Sequence, residues 1–274
     1  MSTILGVDLT KRTLICAELS CNHVGSLDLA RELVRAAAAA GADCAKMQVY
    51  RADDMCVDDS RLLCPAGPWK GRPLFELYRE CATPREWFPV LRDEAAKVGI
   101  PLFTSVFNPD DLPYLEAEGC PAYKVASAEG KWRDLIRALR ATGKPVIVSD
   151  GANPTPPHRP AGNLYVLHCV AEYPAQSGQY DLRGLAPYED GPDYDGISDH
   201  TAGIELAPIA VAAGARIVEK HLRLADHWRD YGHVQLCQSI GRPVPAHVSG
   251  QPDVEFSLPP WEFERMVQAI RRIG

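Results

Sequence analysis

Residues 196–222 read "GISDHTAGIELAPIAVAAGARIVEKHL": two short apolar runs separated by an alanine-rich segment long enough for a helix. Each run ends in a charged residue followed by a histidine, Asp199-His200 and Lys220-His221. A strand, a helix and a second strand in that order make a parallel βαβ unit, because parallel neighbours need a long crossover. Outward from this stretch the same pattern recurs. Apolar runs at 14–20, 44–50, 101–107, 122–127, 145–150 and 164–170 precede the two at 195–200 and 216–222, which makes eight. Between most of them lie amphipathic segments such as "SLDLARELVRAAAAAG", "TPREWFPVLRDEAAKVG" and "KWRDLIRALRATG", whose apolar residues recur at three and four and which close on glycine. Eight βα units in about 250 residues predict a single-domain (β/α)8 barrel, the TIM barrel. A doubly wound open sheet is the alternative, but no G-x-G-x-x-G follows the first strand.

Composition narrows the function classes. The chain has 274 residues, 46% of them hydrophobic, which is enough for a sizeable core. Its formal net charge is −7 with the acids spread out, which disfavours a nucleic-acid partner. The apolar stretches are too short for a membrane span and the N-terminus lacks a signal peptide's pattern, so a cytoplasmic protein is expected. Nine cysteines without a C-x-x-C fit reduced, mostly buried thiols better than a disulfide framework or a zinc cluster.

A barrel builds its active site at the C-terminal ends of its strands. Glu18, Lys46, Gln48, Ser105, Lys124, Ser127, Ser149, His168, His200, Glu219 and His221 fall there. His200 closes the seventh strand and His221 the eighth, so neighbouring strands aim two imidazoles into one mouth. Either histidine alone reads best as a hydrogen-bonded core residue. Matched placement favours a catalytic divalent ion with open positions over a closed structural site.

These residues sit in longer motifs that carry a family resemblance. "ICAELSCNHVGSLDLARELVRAAAAAGADCAKMQVY", "WKGRPLFELYRECATPREWFPVL", "PAYKVAS", "LHCVAEYPA", "GISDHTAGIELAPIAVAAGARIVEKH" and "PDVEFSLPPWEFERMVQAI" resemble, in order, the sialic acid synthase family of phosphoenolpyruvate-dependent nonulosonate synthases. "WKGRPLFELY" leans toward the pseudaminic acid synthase branch. The resemblance implies metal ligands His200 and His221, with manganese as the first choice of ion and magnesium or cobalt as alternatives. It implies that Lys46, Lys124, Ser105, Ser127, Ser149 and Ser198 hold phosphoenolpyruvate, a role that suits fixed cations and directional donors. Gln48, Glu129 and Tyr173 match acceptor-side positions, and Glu18 is the candidate for proton handling, so that Glu18, Lys46 and Lys124 form the catalytic set. The implied reaction is an aldol-type condensation of phosphoenolpyruvate with an open-chain sugar aldehyde, giving a 2-keto-3-deoxy nonulosonic-type acid and phosphate.

The chain also departs from the family pattern. Family members usually carry a C-terminal antifreeze-like domain, whereas this sequence stops at Gly274, after the last barrel helix. A separate protein supplying that domain is one expectation. Pro154, Pro156, Pro157 and Pro160 forbid a normal helix between the fifth and sixth strands, so one outer helix is expected to be lost and a homodimer interface to cover the seam. Residues 1–12 read as an N-terminal extension and about 224–255 as an inserted loop carrying His227, Trp228, Arg229, Tyr231, His233 and His247. That loop reads equally as a lid or as packing, and its histidines match no ligand spacing. Asp150 puts negative charge where the family has a small residue, and Ala171 replaces a polar one, which draws both contacts into question. Two rival functions stay open: phosphoenolpyruvate condensation with another aldehyde in a specialised sugar or nucleoside pathway, and a non-catalytic sugar- or phosphate-binding scaffold barrel.

Overall fold

The computed structural model describes residues 3–151, 162–186, 192–225 and 250–273. Eight parallel strands close into a barrel in chain order: β3 (Leu14–Glu18), β4 (Cys44–Val49), β5 (Leu102–Val106), β6 (Tyr123–Val125), β7 (Val146–Asp150), β8 (Leu164–Cys169), β9 (Gly196–Asp199) and β10 (Ile217–His221), with β10 pairing back onto β3. All eight coincide with the apolar runs of the sequence. Two further strands precede them. Within the N-terminal extension, β1 (Thr3–Ile4) and β2 (Val7–Asp8) form an antiparallel hairpin that carries Ile4, Val7 and Leu9 into the main core.

Helices pack outside the barrel. α1 (Leu27–Ala39) starts at Ser26, whose side chain accepts from the Leu29 N–H, and buries Ala30, Leu33, Val34 and Ala37. Each large apolar side chain so covered is worth about 1.5–3 kcal/mol. Gly41 ends the helix at φ +85°, a conformation that disfavours any residue with a Cβ. The crossover from β4 to β5 is the longest described, with α2 (Ala52–Met55), α3 (Leu74–Cys81) and α4 (Trp87–Lys97). α5 (Leu112–Ala117), α6 (Arg133–Ala141), α7 (Leu206–Ala212) and α8 (Pro260–Ile273) continue the outer layer. Between β8 and β9 the described residues form two 3-10 turns, 177–179 and 182–185. Among the described residues, no helix is long and apolar enough to cross a membrane.

The expected loss of a helix between the fifth and sixth strands falls on residues 152–161, and most of the inserted loop on 226–249; both lie outside the described residues. The flanks of the second segment are tied together, since Gln251 accepts from the Leu224 N–H at 2.8 Å and donates to its carbonyl at 3.0 Å.

At the N-terminal end of the strands, Asp43 holds three chain segments. Its carboxylate accepts from the Ile15 N–H at 2.7 Å and from Arg271 at 2.6 Å, and pairs with Arg12. Asp43→Ala is expected to cost roughly 1–3 kcal/mol, because it leaves a buried N–H unsatisfied and frees the last helix. A lower urea midpoint with an unchanged slope would register this.

Candidate active site

Strand alternation decides which polar groups reach the mouth. On β10, Glu219 and His221 face inward and Lys220 outward; on β9, Ser198 faces inward and Asp199 outward. The strands approach closely because Gly196 has no side chain: a Cβ there would lie 1.8 Å from the Ile217 carbonyl oxygen.

The inward groups surround a cavity of about 720 Å3. On one side stand two buried ammonium groups, each leaning on a serine of the next strand. Lys46 on β4 donates to Ser105 Oγ at 2.9 Å, and Lys124 on β6 donates to Ser149 Oγ at 2.7 Å. Glu219 lies between them, its two oxygens 3.6 Å from Lys46 and 3.6 Å from Lys124, and it accepts from Ser198 Oγ at 2.9 Å. Glu18 pairs with Lys46 and accepts from the Ser20 N–H at 2.7 Å and from Gln48 at 3.1 Å. The electrostatics follow from this arrangement. Burial alone would lower the Lys46 pKa, but Glu18 and Glu219 outweigh it and raise the value. For Lys124 burial wins over the attraction of Glu219, and the pKa falls. Burial pushes Glu219 up, yet the two lysines and the Ser198 hydroxyl hold its pKa well below the ordinary range.

On the other side stand the imidazoles, with ring centroids 5.4 Å apart. His200 Nδ1 lies 2.9 Å from the Val170 carbonyl. A carbonyl only accepts, so Nδ1 carries the proton and Nε2 keeps its lone pair. Burial pushes the His200 pKa down to about 3, so the ring is neutral. His221 Nδ1 lies 3.2 Å from Asp253 Oδ2 but makes no hydrogen bond and is buried. Two buried imidazoles, one with its lone pair assigned and one with an orphaned nitrogen, fit a divalent ion. Among the described residues, no third His, Cys, Asp or Glu joins them at ligand spacing. Further coordination would fall to substrate or water.

An aromatic collar surrounds the imidazoles. Tyr173 lies 4.4 Å from the His200 ring and Phe256 4.8 Å from the His221 ring. Trp69 packs on both and donates its indole N–H to the Pro252 carbonyl at 3.1 Å. Part of the remaining wall is apolar, with Cys21, Tyr50, Leu77, Cys81 and Phe107 in one cluster.

Most of the sequence-selected residues come together here. Lys46, Gln48, Ser105, Lys124, Ser127, Glu129, Ser149, Tyr173, Ser198, His200 and His221 all line the cavity, as does Ala171. Ser127 Oγ accepts from the Gly151 N–H at 3.1 Å, and burial raises the pKa of Glu129, whose Oε2 has no partner. Glu18 does not line the cavity; it sits behind Lys46 and Gln48, and Glu219 is the acid that faces the space between the lysines. His168 does not reach the mouth. It points outward between Tyr180 and Tyr194 and accepts from the Asp181 N–H at 3.1 Å. Asp150, beside it in register, is likewise absent from the cavity wall.

The family model described as the NeuB family matches residues 33–236. The chain is 33% identical to the pseudaminic acid synthase of Campylobacter jejuni, over 96% of this chain and 74% of that protein. It is 27% identical to the N,N'-diacetyllegionaminic acid synthase of the same species, over 96% of this chain and 77% of that one. Among solved structures, the N-acetylneuraminic acid synthetase of Leptospira borgpetersenii matches 96% of this chain and 84% of its own with a TM-score of 0.73; at 24% identity this shows a shared fold.

Proposed function

The chain belongs to the NeuB family, and from that premise we propose that it joins phosphoenolpyruvate to an open-chain sugar aldehyde in a metal-dependent aldol-type condensation, releasing phosphate and a 2-keto-3-deoxy nonulosonic-type acid. One observation carries the reading: two serine-backed ammonium groups face two buried imidazoles across a single cavity. A scaffold barrel has little use for this arrangement, because buried ion clusters beside paired imidazoles cost more to build than an apolar wall of the same volume.

Lys46 and Lys124, with Ser105 and Ser149, would grip the phosphate and carboxylate of phosphoenolpyruvate and hold its C3 toward the imidazoles. Glu219 keeps both ammonium groups close. Lys46 and Lys124 are balanced in charge by Glu18 and Glu219, so their hold on the substrate rests on directional N–H and hydroxyl donors rather than on net charge. His200 and His221 would hold a divalent ion that polarises an aldehyde oxygen. C3 of phosphoenolpyruvate attacks the aldehyde carbon, and water adds at C2, one of its protons passing to the oxygen that was the aldehyde's. The bond from C2 to the bridging oxygen then breaks as the C2 hydroxyl becomes the ketone, and Lys124 Nζ, the ammonium whose pKa is lowered, is the group suited to protonate the departing phosphate and to recover the hydroxyl's proton. Tyr173, Phe256 and Trp69 exclude bulk water from the aldehyde.

The acceptor half supports a finer reading. Gln48 and Glu129 offer polar contacts, while Tyr50, Trp69, Leu77 and Phe107 suit deoxygenated carbons and acyl methyl groups. Phosphate release with manganese should therefore favour diacetamido-trideoxyhexoses over N-acetylmannosamine by at least about tenfold in kcat/KM. The reverse preference would remove the pseudaminic-type reading, and absence of saturable phosphoenolpyruvate binding would remove the synthase reading altogether.

A further inference from the structure

His200 lies one residue beyond the end of β9, and the β9–β10 ladder stops at the pair Asp199–Lys220. The ladder therefore stops short of it, and the one bridge bond its backbone makes is from the Ala175 N–H to its carbonyl at 3.0 Å, although a ligand must be fixed closely. The rest of what fixes it lies behind the barrel wall. Asp199 and Lys220 face outward from adjacent strands, one residue away from the inward-facing His200 and His221, and their side chains are 0% exposed. Lys220 Nζ lies 3.1 Å from Asp199 Oδ1 and donates to the Thr201 carbonyl at 2.5 Å. The same Asp199 oxygen accepts from the Thr201 N–H at 2.8 Å and its hydroxyl at 2.7 Å. One ammonium group, on the residue preceding His221, thus clamps both residues that flank His200.

We propose that Lys220 is a positioning residue that sets the spacing of the two imidazoles by holding Asp199 and the Thr201 carbonyl across the β9–β10 seam. An ordinary structural ion pair would need only Asp199. The bond to the Thr201 carbonyl closes the chain on the far side of His200, and the bonds on the near side come from Tyr180, which accepts the His200 N–H at 3.0 Å and donates to the Ser198 carbonyl at 2.9 Å. This network meets the phosphoenolpyruvate side only at the Ser198 backbone carbonyl and does not touch Lys46, Lys124, Ser105 or Ser149, so the grip of those four groups should not depend on it. The inference rests on the proposed divalent site.

The test measures manganese and phosphoenolpyruvate dissociation constants separately, by electron paramagnetic resonance and by calorimetry, with circular dichroism reporting the fold. Lys220→Met alone leaves the Asp199 carboxylate buried without its partner and invites misfolding. The variants used are therefore Lys220→Arg, which keeps the charge and changes the reach, and the double variant Asp199→Asn with Lys220→Met, which carries no uncompensated charge. In the folded double variant the manganese constant is expected to rise about 10- to 100-fold while the phosphoenolpyruvate constant stays within about twofold. A manganese constant unchanged in a folded double variant would overturn the positioning role and leave the proposed function standing. Equal weakening of both ligands, or loss of the fold in both variants, would show a structural element only. A parent protein that binds no manganese would overturn the metal reading, and this inference with it.

Discussion

Alanine in place of His200 or His221 is expected to lower phosphate release from phosphoenolpyruvate by about a thousandfold or more, since Lewis-acid stabilisation supplies several kcal/mol of the barrier reduction. The geometry makes each histidine necessary. Among the described residues no third protein ligand stands beside them, so one imidazole alone would keep the ion poorly. The lysines and serines that grip phosphoenolpyruvate belong to other strands, so its binding should survive both substitutions. That combination, binding kept and turnover lost, separates a lost ion from a collapsed site. Activity within tenfold of the parent in either variant would contradict the metal reading. The histidines would then be core residues packed on Tyr173 and Phe256.

The barrel was legible because its strands are buried on both faces and each reads as a short continuous apolar run. Placing polar groups at strand ends was also legible, but their direction was not. His168 and Ser149 look alike as strand-end polar residues, yet only Ser149 lines the cavity. Direction depends on register, and one residue's shift exchanges inside for outside. The same ambiguity hid the division of labour in "VEKH": Glu219 and His221 reach the mouth while Lys220 holds the wall from behind. The roles of Trp69, Phe256 and the thiol-lined wall were illegible for another reason. An apolar residue announces burial and does not say against what, and the contact of Trp69 with Phe256 spans most of the chain. Glu18 was selected by its motif, and only packing shows that Lys46 and Gln48 stand between it and the cavity.

Lys124→Met should weaken phosphoenolpyruvate binding by about 100-fold, the loss of charge-assisted hydrogen bonds to an anion, while the fold survives because Lys46 still faces Glu219. Burial has lowered the Lys124 pKa below its ordinary 10.5. Between the folded and unfolded values the unfolded chain binds more protons, so this group's contribution to stability increases as pH rises through that window. Ligand binding runs the other way: the substrate needs the ammonium, and affinity falls as pH rises through the folded value. Lys46, whose pKa is raised by Glu18 and Glu219, stays charged throughout and adds no such dependence. KM for phosphoenolpyruvate should therefore climb at alkaline pH earlier than an ordinary lysine would allow, and binding there should take up a proton. In Lys124→Met both the climb and the uptake should vanish. A profile that persists in this variant would assign the titration to another group and leave Lys124 as a buried charge without a substrate role.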